Sequence, residues 1–161
     1  MKYAFLAVSV AGIAIGLAMP SGKKQAIAAA PPPLAAGEVD APRETVIERS
    51  DNGHFYTVAD VNGEPIKFVV DTGATTVALT LADARRIGLK VDPAEFDVVG
   101  SGASGAVRGV EVTLRDLVLD GKRASEVHAV VLEGLTISLL GQSYLRKLDT
   151  VSITSDSMKL R

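Results

Sequence analysis

The residue that invites chemistry is Asp71, in the run Val70-Asp71-Thr72-Gly73-Ala74. It follows Ile66-Lys67-Phe68-Val69-Val70, whose last three residues are all apolar, so its carboxylate is delivered at the end of a strand expected to be buried on both faces. A carboxylate in that place is costly to ionise unless hydrogen bonds or a charged partner compensate it. Thr72 supplies a hydroxyl next to it, and Gly73 allows a tight turn in which backbone N–H groups come close. Asp, Thr and Gly are also common turn formers, and an ordinary turn would account for the triplet alone. The flanks favour chemistry, because an apolar strand precedes the triplet and Ala74-Thr75-Thr76-Val77 resumes a strand-like run after it.

Two further segments stand beside it, the glycine-rich stretch Gly100 to Gly105 and Leu139-Leu140-Gly141. Gly100, Gly102 and Gly105 fit the spacing of a dinucleotide fingerprint, but that motif must open a helix, and here Val107, Val110, Val112 and Leu114 continue as strand. Without a helix N-terminus to hold phosphates no cofactor is expected. The stretch reads as a mobile hairpin or an ordinary surface loop. Cysteine is absent, which excludes disulfides, thiolate metal sites and a cysteine nucleophile. His54 and His128 are too few for a histidine metal cage, lack a ligand cluster, and need no functional role. The net charge is −2, and from Arg43 onward 14 Lys/Arg stand against 17 Asp/Glu, so no nucleic-acid partner is expected.

The elements that must position these residues are mostly strands. Phe55 to Val61 and Glu64 to Val70 flank Asn62-Gly63, the pair that best tolerates positive φ in a two-residue hairpin. Asp120-Gly121 signals a second hairpin, with Val110, Val112 and Leu114 alternating before it and Val127, Ala129 and Val131 after it. The parity changes between Leu114 and Leu117, which predicts a bulge or kink near Arg115-Asp116. Val151 to Ile153 and Met158 to Leu160 form a last strand pair. One helix is expected, started by Thr80 and Asp83 and ended by Gly88, with a shorter turn over Ser143 to Leu148 capped by Ser143. Arg85-Arg86 and Arg146-Lys147 are solvated charges on these helices. The domain, residues 44–161, is therefore mainly β, and a small closed barrel with one or two short helices suits it better than an alternating α/β layout.

Ahead of it, Ala4 to Met19 is an uninterrupted apolar run after a charged start, with Ala26-Ile27-Ala28 following. Residues 1–28 resemble a secretory signal peptide or an uncleaved signal-anchor. Residues 29–43, with Pro31-Pro32-Pro33, read as a stiff linker. The expected location is the cell envelope, with the domain outside the cytoplasm, either anchored in the inner membrane or released.

Phe68 to Thr75 resembles the active-site signature of retropepsin-like aspartic proteases, and Leu139-Leu140-Gly141-Gln142 is similar to that family's hydrophobic-hydrophobic-Gly element. Gly53-His54-Phe55, Asn62-Gly63, Ala84-Arg85-Arg86-Ile87-Gly88 and Leu139 to Leu145 look like the family's bacterial branch, so the resemblance covers about residues 50 to 161. It implies an aspartic endopeptidase with Asp71 as the catalytic residue, supported by Thr72, Gly73 and Ala74. Gly102, Ala103, Ser104 and Gly105 would be a flap over bound peptide, and Leu139, Leu140 and Gly141 the supporting loop. Hydrolysis by aspartates needs two carboxylates sharing a proton, yet Asp-Thr-Gly occurs once, and Asp149-Thr150 is followed by Val151. The second carboxylate must then come from an identical subunit through an isologous interface, with Thr72 bonding across the axis. The rival reading is a binding or scaffold domain that kept the barrel without turnover. Where viral relatives pair an Asp with an Arg, this chain has Thr75 and Gln142, so both charges are gone together and neither is left unpaired.

Overall fold

The computed structural model describes residues 41–102 and 105–161. The expected leader, most of the linker, and Ala103 and Ser104 lie outside the described residues. Among the described residues no helix is long and apolar enough to cross a membrane.

The described residues form ten strands and two short helices: β1 (Thr45–Glu48), β2 (Tyr56–Val61), β3 (Glu64–Val70), β4 (Val77–Leu79), α1 (Leu81–Arg86), β5 (Asp97–Gly102), β6 (Gly105–Leu119), β7 (Lys122–Leu132), β8 (Ser138–Leu140), α2 (Gln142–Leu145), β9 (Val151–Ile153) and β10 (Ser157–Leu160), with a 3-10 turn at Pro93–Glu95. The main sheet runs β2-β3-β8-β4-β7-β6-β5 and closes on itself where β2 pairs β6. The closed barrel of six strands, with β5 as an extension of β6, is the mainly β architecture expected from the alternation. Ile66, Phe68, Leu79, Leu114, Leu117 and Leu140 fill its interior.

Both hairpins form where the turn residues placed them. Asn62 and Gly63 take φ 54° and 94°, and Asp120 and Gly121 take 47° and 76°, the left-handed conformation that a two-residue hairpin turn matching the strand twist requires. The parity change in β6 is a kink without a bulge. Leu114 still faces Val127 and Leu117 still faces Ala124 in one unbroken register. The ladder skips only Arg115 and Glu126, the latter at φ 49°, and resumes in the same register, so neither strand gains a residue. The Asn62 turn is stitched to this kink, the Asn62 amide donating to the Asp116 carbonyl at 3.0 Å and the Asp116 amide to Asn62 Oδ1 at 3.2 Å. That contact brings Asp60 opposite Val118 and Val61 opposite Leu117, which closes the barrel. A true bulge lies elsewhere in the sheet, at Val99 in β5.

α1 is capped as its sequence indicates, Thr80 Oγ1 accepting from the Asp83 amide at 3.0 Å. The Ser143 assignment is corrected. Helix α2 is capped by Gly141 with no side-chain bond, and Ser143 Oγ instead accepts from the Val77 amide at 2.9 Å, tying α2 to β4. Hydroxyl capping is a local pattern, and here a strand amide distant in sequence takes the hydroxyl.

A second sheet, β1-β10-β9, joins the two ends of the domain; β1 carries no turn or repeat signal and emerges only from its pairing with β10. Thr45 at its start donates to Asp120 Oδ2 at 2.5 Å, and Arg43 donates to Asp120 Oδ1 at 3.0 Å. Burial works to raise the Asp120 carboxyl, but these two hydrogen bonds and the Arg43 and Lys122 charges outweigh it and hold the group below its usual 3.8. A depressed folded-state value means stability that is present above the unfolded value and lost as pH falls through the folded one. Asp120→Asn keeps a residue that tolerates the left-handed turn, so it isolates the charge. Its expected cost is about 1–2 kcal/mol at pH 7 by denaturant unfolding, with the difference from wild type shrinking once the pH drops below about 4.

Candidate active site

Asp71 stands just past the end of β3, a strand gripped on both sides. On one side the Val70 amide donates to the carbonyl of Phe55, the residue just ahead of β2, at 2.8 Å, while on the other β8 runs parallel to β3 with Val70 opposite Leu140. The Asp71 amide still reaches the Leu140 carbonyl at 3.1 Å. Past it the chain turns sharply and re-enters the sheet as β4, antiparallel to β8 at Ala78 and Leu139. β8 therefore sits between the strand that enters the turn and the strand that leaves it.

Within the turn, Asp71 Oδ1 accepts from the Gly73 amide at 2.9 Å and the Ala74 amide at 3.2 Å. A Cβ on Gly73 would lie 3.3 Å from the same Oδ1, so glycine keeps the peptide this near. Thr72 and Gly73 are exposed at the tip, and Ala74 is half-buried. Gly141 packs harder: a Cβ there would lie 2.1 Å from the Thr76 carbonyl oxygen and 2.9 Å from that of Ala74. The next residue locks the turn further, the Gln142 amide donating to the Ala74 carbonyl and its side-chain Nε2 to the Thr72 carbonyl, each at 2.9 Å. Behind this, Ser138 and Thr80 both donate to Asp83 Oδ2, at 2.6 and 2.9 Å, fastening β8 to α1.

Two cavities flank Leu139. One of about 390 Å³ has Asp71 in its wall together with Asn52, His54, Tyr56, Val69 and Ile137. The other, about 220 Å³, lies between Ala74-Thr75-Thr76 and Gly100-Ser101 of β5. β5 and β6 form the glycine-rich hairpin, Gly102 pairing Gly105, and Val99 to Ser101 of β5 and Val107 of β6 help to wall the second cavity. A third cavity, of about 480 Å³ around Lys122 and Tyr144, is lined by no residue of the Asp71 turn. Among the described residues no group of His, Cys, Asp and Glu could hold a metal ion.

The structure thus brings Asp71, Thr72, Gly73 and Ala74 together with Leu139, Leu140 and Gly141. His54, for which no role was expected, lies just ahead of β2 and lines the cavity beside Asp71, its amide held by Asn52 Oδ1 at 3.2 Å and its ring edge-on to Tyr56. Only the pairing of β2 with β3 brings it there, although the His54-x-Tyr56 spacing places the two on one side of an extended chain. His128 sits exposed on β7 opposite Thr113.

Residues 57–147 match the sequence family described as "gag-polyprotein putative aspartyl protease". The chain belongs to the retropepsin-like aspartic proteases. The crystal structure of a retropepsin-like aspartic protease from Rickettsia conorii is 36% identical, with TM-score 0.63 over 73% of this chain and 90% of that one. EIAV protease in complex with the inhibitor HBY-793 shares the retropepsin fold at 21% identity, with TM-score 0.50 over 62% of this chain and 91% of that one. An uncharacterized protein from the cobV 5' region of a Sinorhizobium species is 36% identical over 121 residues, covering 74% of this chain and 52% of the relative. An uncharacterized protein of Rickettsia prowazekii (strain Madrid E) is 36% identical over 117 residues, covering 73% and 51%. The chain therefore spans about half the length of these two curated relatives.

Proposed function

We propose that this retropepsin-like chain is an aspartic endopeptidase whose active site is completed by a second copy of itself. The observation that carries this reading is the Asp71 turn. One carboxylate oxygen takes two backbone amides, the carboxylate opens onto a cavity, and the sequence contains a single Asp-Thr-Gly. In the dimer, one Asp71 is ionised and draws a proton from water while the other, protonated, donates to the scissile carbonyl oxygen. The tetrahedral intermediate then collapses with proton transfer to the leaving amine. Thr72, exposed at the tip, bonds across the two-fold axis, and Gly102 to Gly105 close over the peptide and exclude water. The N-terminal apolar run directs the chain to the cell envelope, where an uncleaved anchor would raise the effective concentration of subunits.

Cleavage of an unstructured protein such as casein, measured from pH 3 to 8 over a hundredfold range of chain concentration beside sedimentation, tests this. Specific activity is expected to rise with concentration in step with the dimer fraction. A concentration-independent specific activity, or equal cleavage by Asp71→Asn, overturns the proposal. Failure to cleave at any pH with the dimer present would favour the binding-domain reading.

A further inference from the structure

Gln142 stands where the family's paired charge is missing, and its side chain is not idle. Its Nε2 donates to the Thr72 carbonyl at 2.9 Å. That carbonyl belongs to the same peptide unit as the Gly73 N–H, which donates to Asp71 Oδ1 at 2.9 Å. Three groups are thus in series, the Gln142 amide, the Thr72–Gly73 peptide and the Asp71 carboxylate. A donor on the oxygen of a peptide polarises its N–H, and hydrogen bonds in such chains strengthen one another by roughly 10–30% each. The Gln142 backbone is fixed at the base of the relay, because Gly141 fits against the Thr76 carbonyl and the Gln142 amide holds the Ala74 carbonyl.

We infer that Gln142 is a positioning residue, holding the Thr72–Gly73 peptide so that its N–H stays on the Asp71 carboxylate. The inference rests on the active-site reading above, but concerns a different residue. Of the titratable side chains around the turn, His54 and Tyr56 share the cavity with Asp71. Lys67 of β3 lies over the Tyr56 ring, and β4 and β8 carry no charged residue. On α2 only Tyr144 titrates, and its hydroxyl is spent on the Lys122 carbonyl. None of these changes when Gln142 is replaced.

The test compares full-length wild type with Gln142→Met, of similar length but without a donor, and Gln142→Lys, which keeps a donor and adds charge. Two readouts are taken, kcat and KM for peptide cleavage and the chemical shift of the Gly73 amide proton by NMR. In Gln142→Met kcat is expected to fall about threefold to tenfold with KM within about twofold, and the Gly73 amide proton to move upfield, as a weaker bond from that N–H to Asp71 Oδ1 requires. Gln142→Lys is expected to return both towards wild type. A Gln142→Met protein with a lower unfolding midpoint but unchanged kcat and Gly73 shift overturns the inference, and so does Gln142→Lys behaving like Gln142→Met. If Gln142→Met does not fold, the Gln142→Lys result decides alone, a lowered kcat with an upfield Gly73 shift being the overturning one. Asp71→Asn measured in parallel separates the two readings: cleavage that survives it refutes the active site, and the Gly73 shift in the Gln142 variants still tests the relay.

Discussion

Mixing the wild-type chain with a ninefold excess of its Asp71→Asn variant is expected to lower cleavage per wild-type chain about tenfold. Random pairing in an isologous dimer leaves only about one wild-type chain in ten with a wild-type partner. A mixed dimer has one carboxylate and an amide that cannot exchange a proton with it, so it lacks half of the acid–base pair. Asparagine is the right replacement because its side-chain oxygen can still accept from the Gly73 and Ala74 amides that hold Asp71 Oδ1. The turn is therefore retained, and circular dichroism and sedimentation should match wild type. The homogeneous variant is expected to lose at least about 10³-fold in rate, within the range that a positioned acid–base group contributes. If each chain acted alone, cleavage per wild-type chain would not change with added variant, and the shared dyad would be refuted.

Gly141→Ala is expected to remove both activity and fold stability. Its Cβ would be placed 2.1 Å from the Thr76 carbonyl oxygen and 2.6 Å from the Thr76 carbonyl carbon. These are backbone atoms of the chain leaving the active turn, so no flexible side chain can yield. Relief requires β4 to part from β8, which would also lengthen the bond from the Gln142 amide to the Ala74 carbonyl. Overpacking of this kind costs about 3 kcal/mol or more, a large part of the stability of a domain this size. Gly73→Ala is the informative contrast. Its Cβ would meet only Asp71 Oδ1, at 3.3 Å, and a carboxylate can rotate away. Thermal unfolding should shift little in Gly73→Ala and by roughly 8 °C or more in Gly141→Ala, while cleavage falls in both. Equal midpoints for the two would show that the Gly141 packing is not what holds the turn.

The lesson of these two glycines extends to the whole molecule. Hairpin turns, the α1 cap and the inward faces of the long strands were legible in the sequence, because each depends on residues at most four apart: Asn62-Gly63, Asp120-Gly121, Thr80 with Asp83, and the alternation of Val127, Ala129 and Val131. The kink was legible only as a change of parity. That it adds no residue follows from the β6–β7 register resuming unchanged past Arg115 and Glu126, a fact about two strands together. Asp71 as a half-buried carboxylate at a strand end was likewise readable from Phe68-Val69-Val70 before it.

What the turn does with that carboxylate was settled in three dimensions. Sequence alone specified an Asp, a Thr and a Gly in a tight turn, and a later glycine some seventy residues on. Only the folded chain decided that the later glycine wedges against Thr76, that Gln142 reaches back to the Thr72 carbonyl, that Ser143 serves β4 instead of capping α2, and that His54 shares a cavity with Asp71. The physical reason is range. Turn and cap preferences are set by torsions and hydrogen bonds between near neighbours, whereas a steric fit between two backbones, or an amide meeting a distant carbonyl, exists only once parallel pairing of β3 with β8 has set their register.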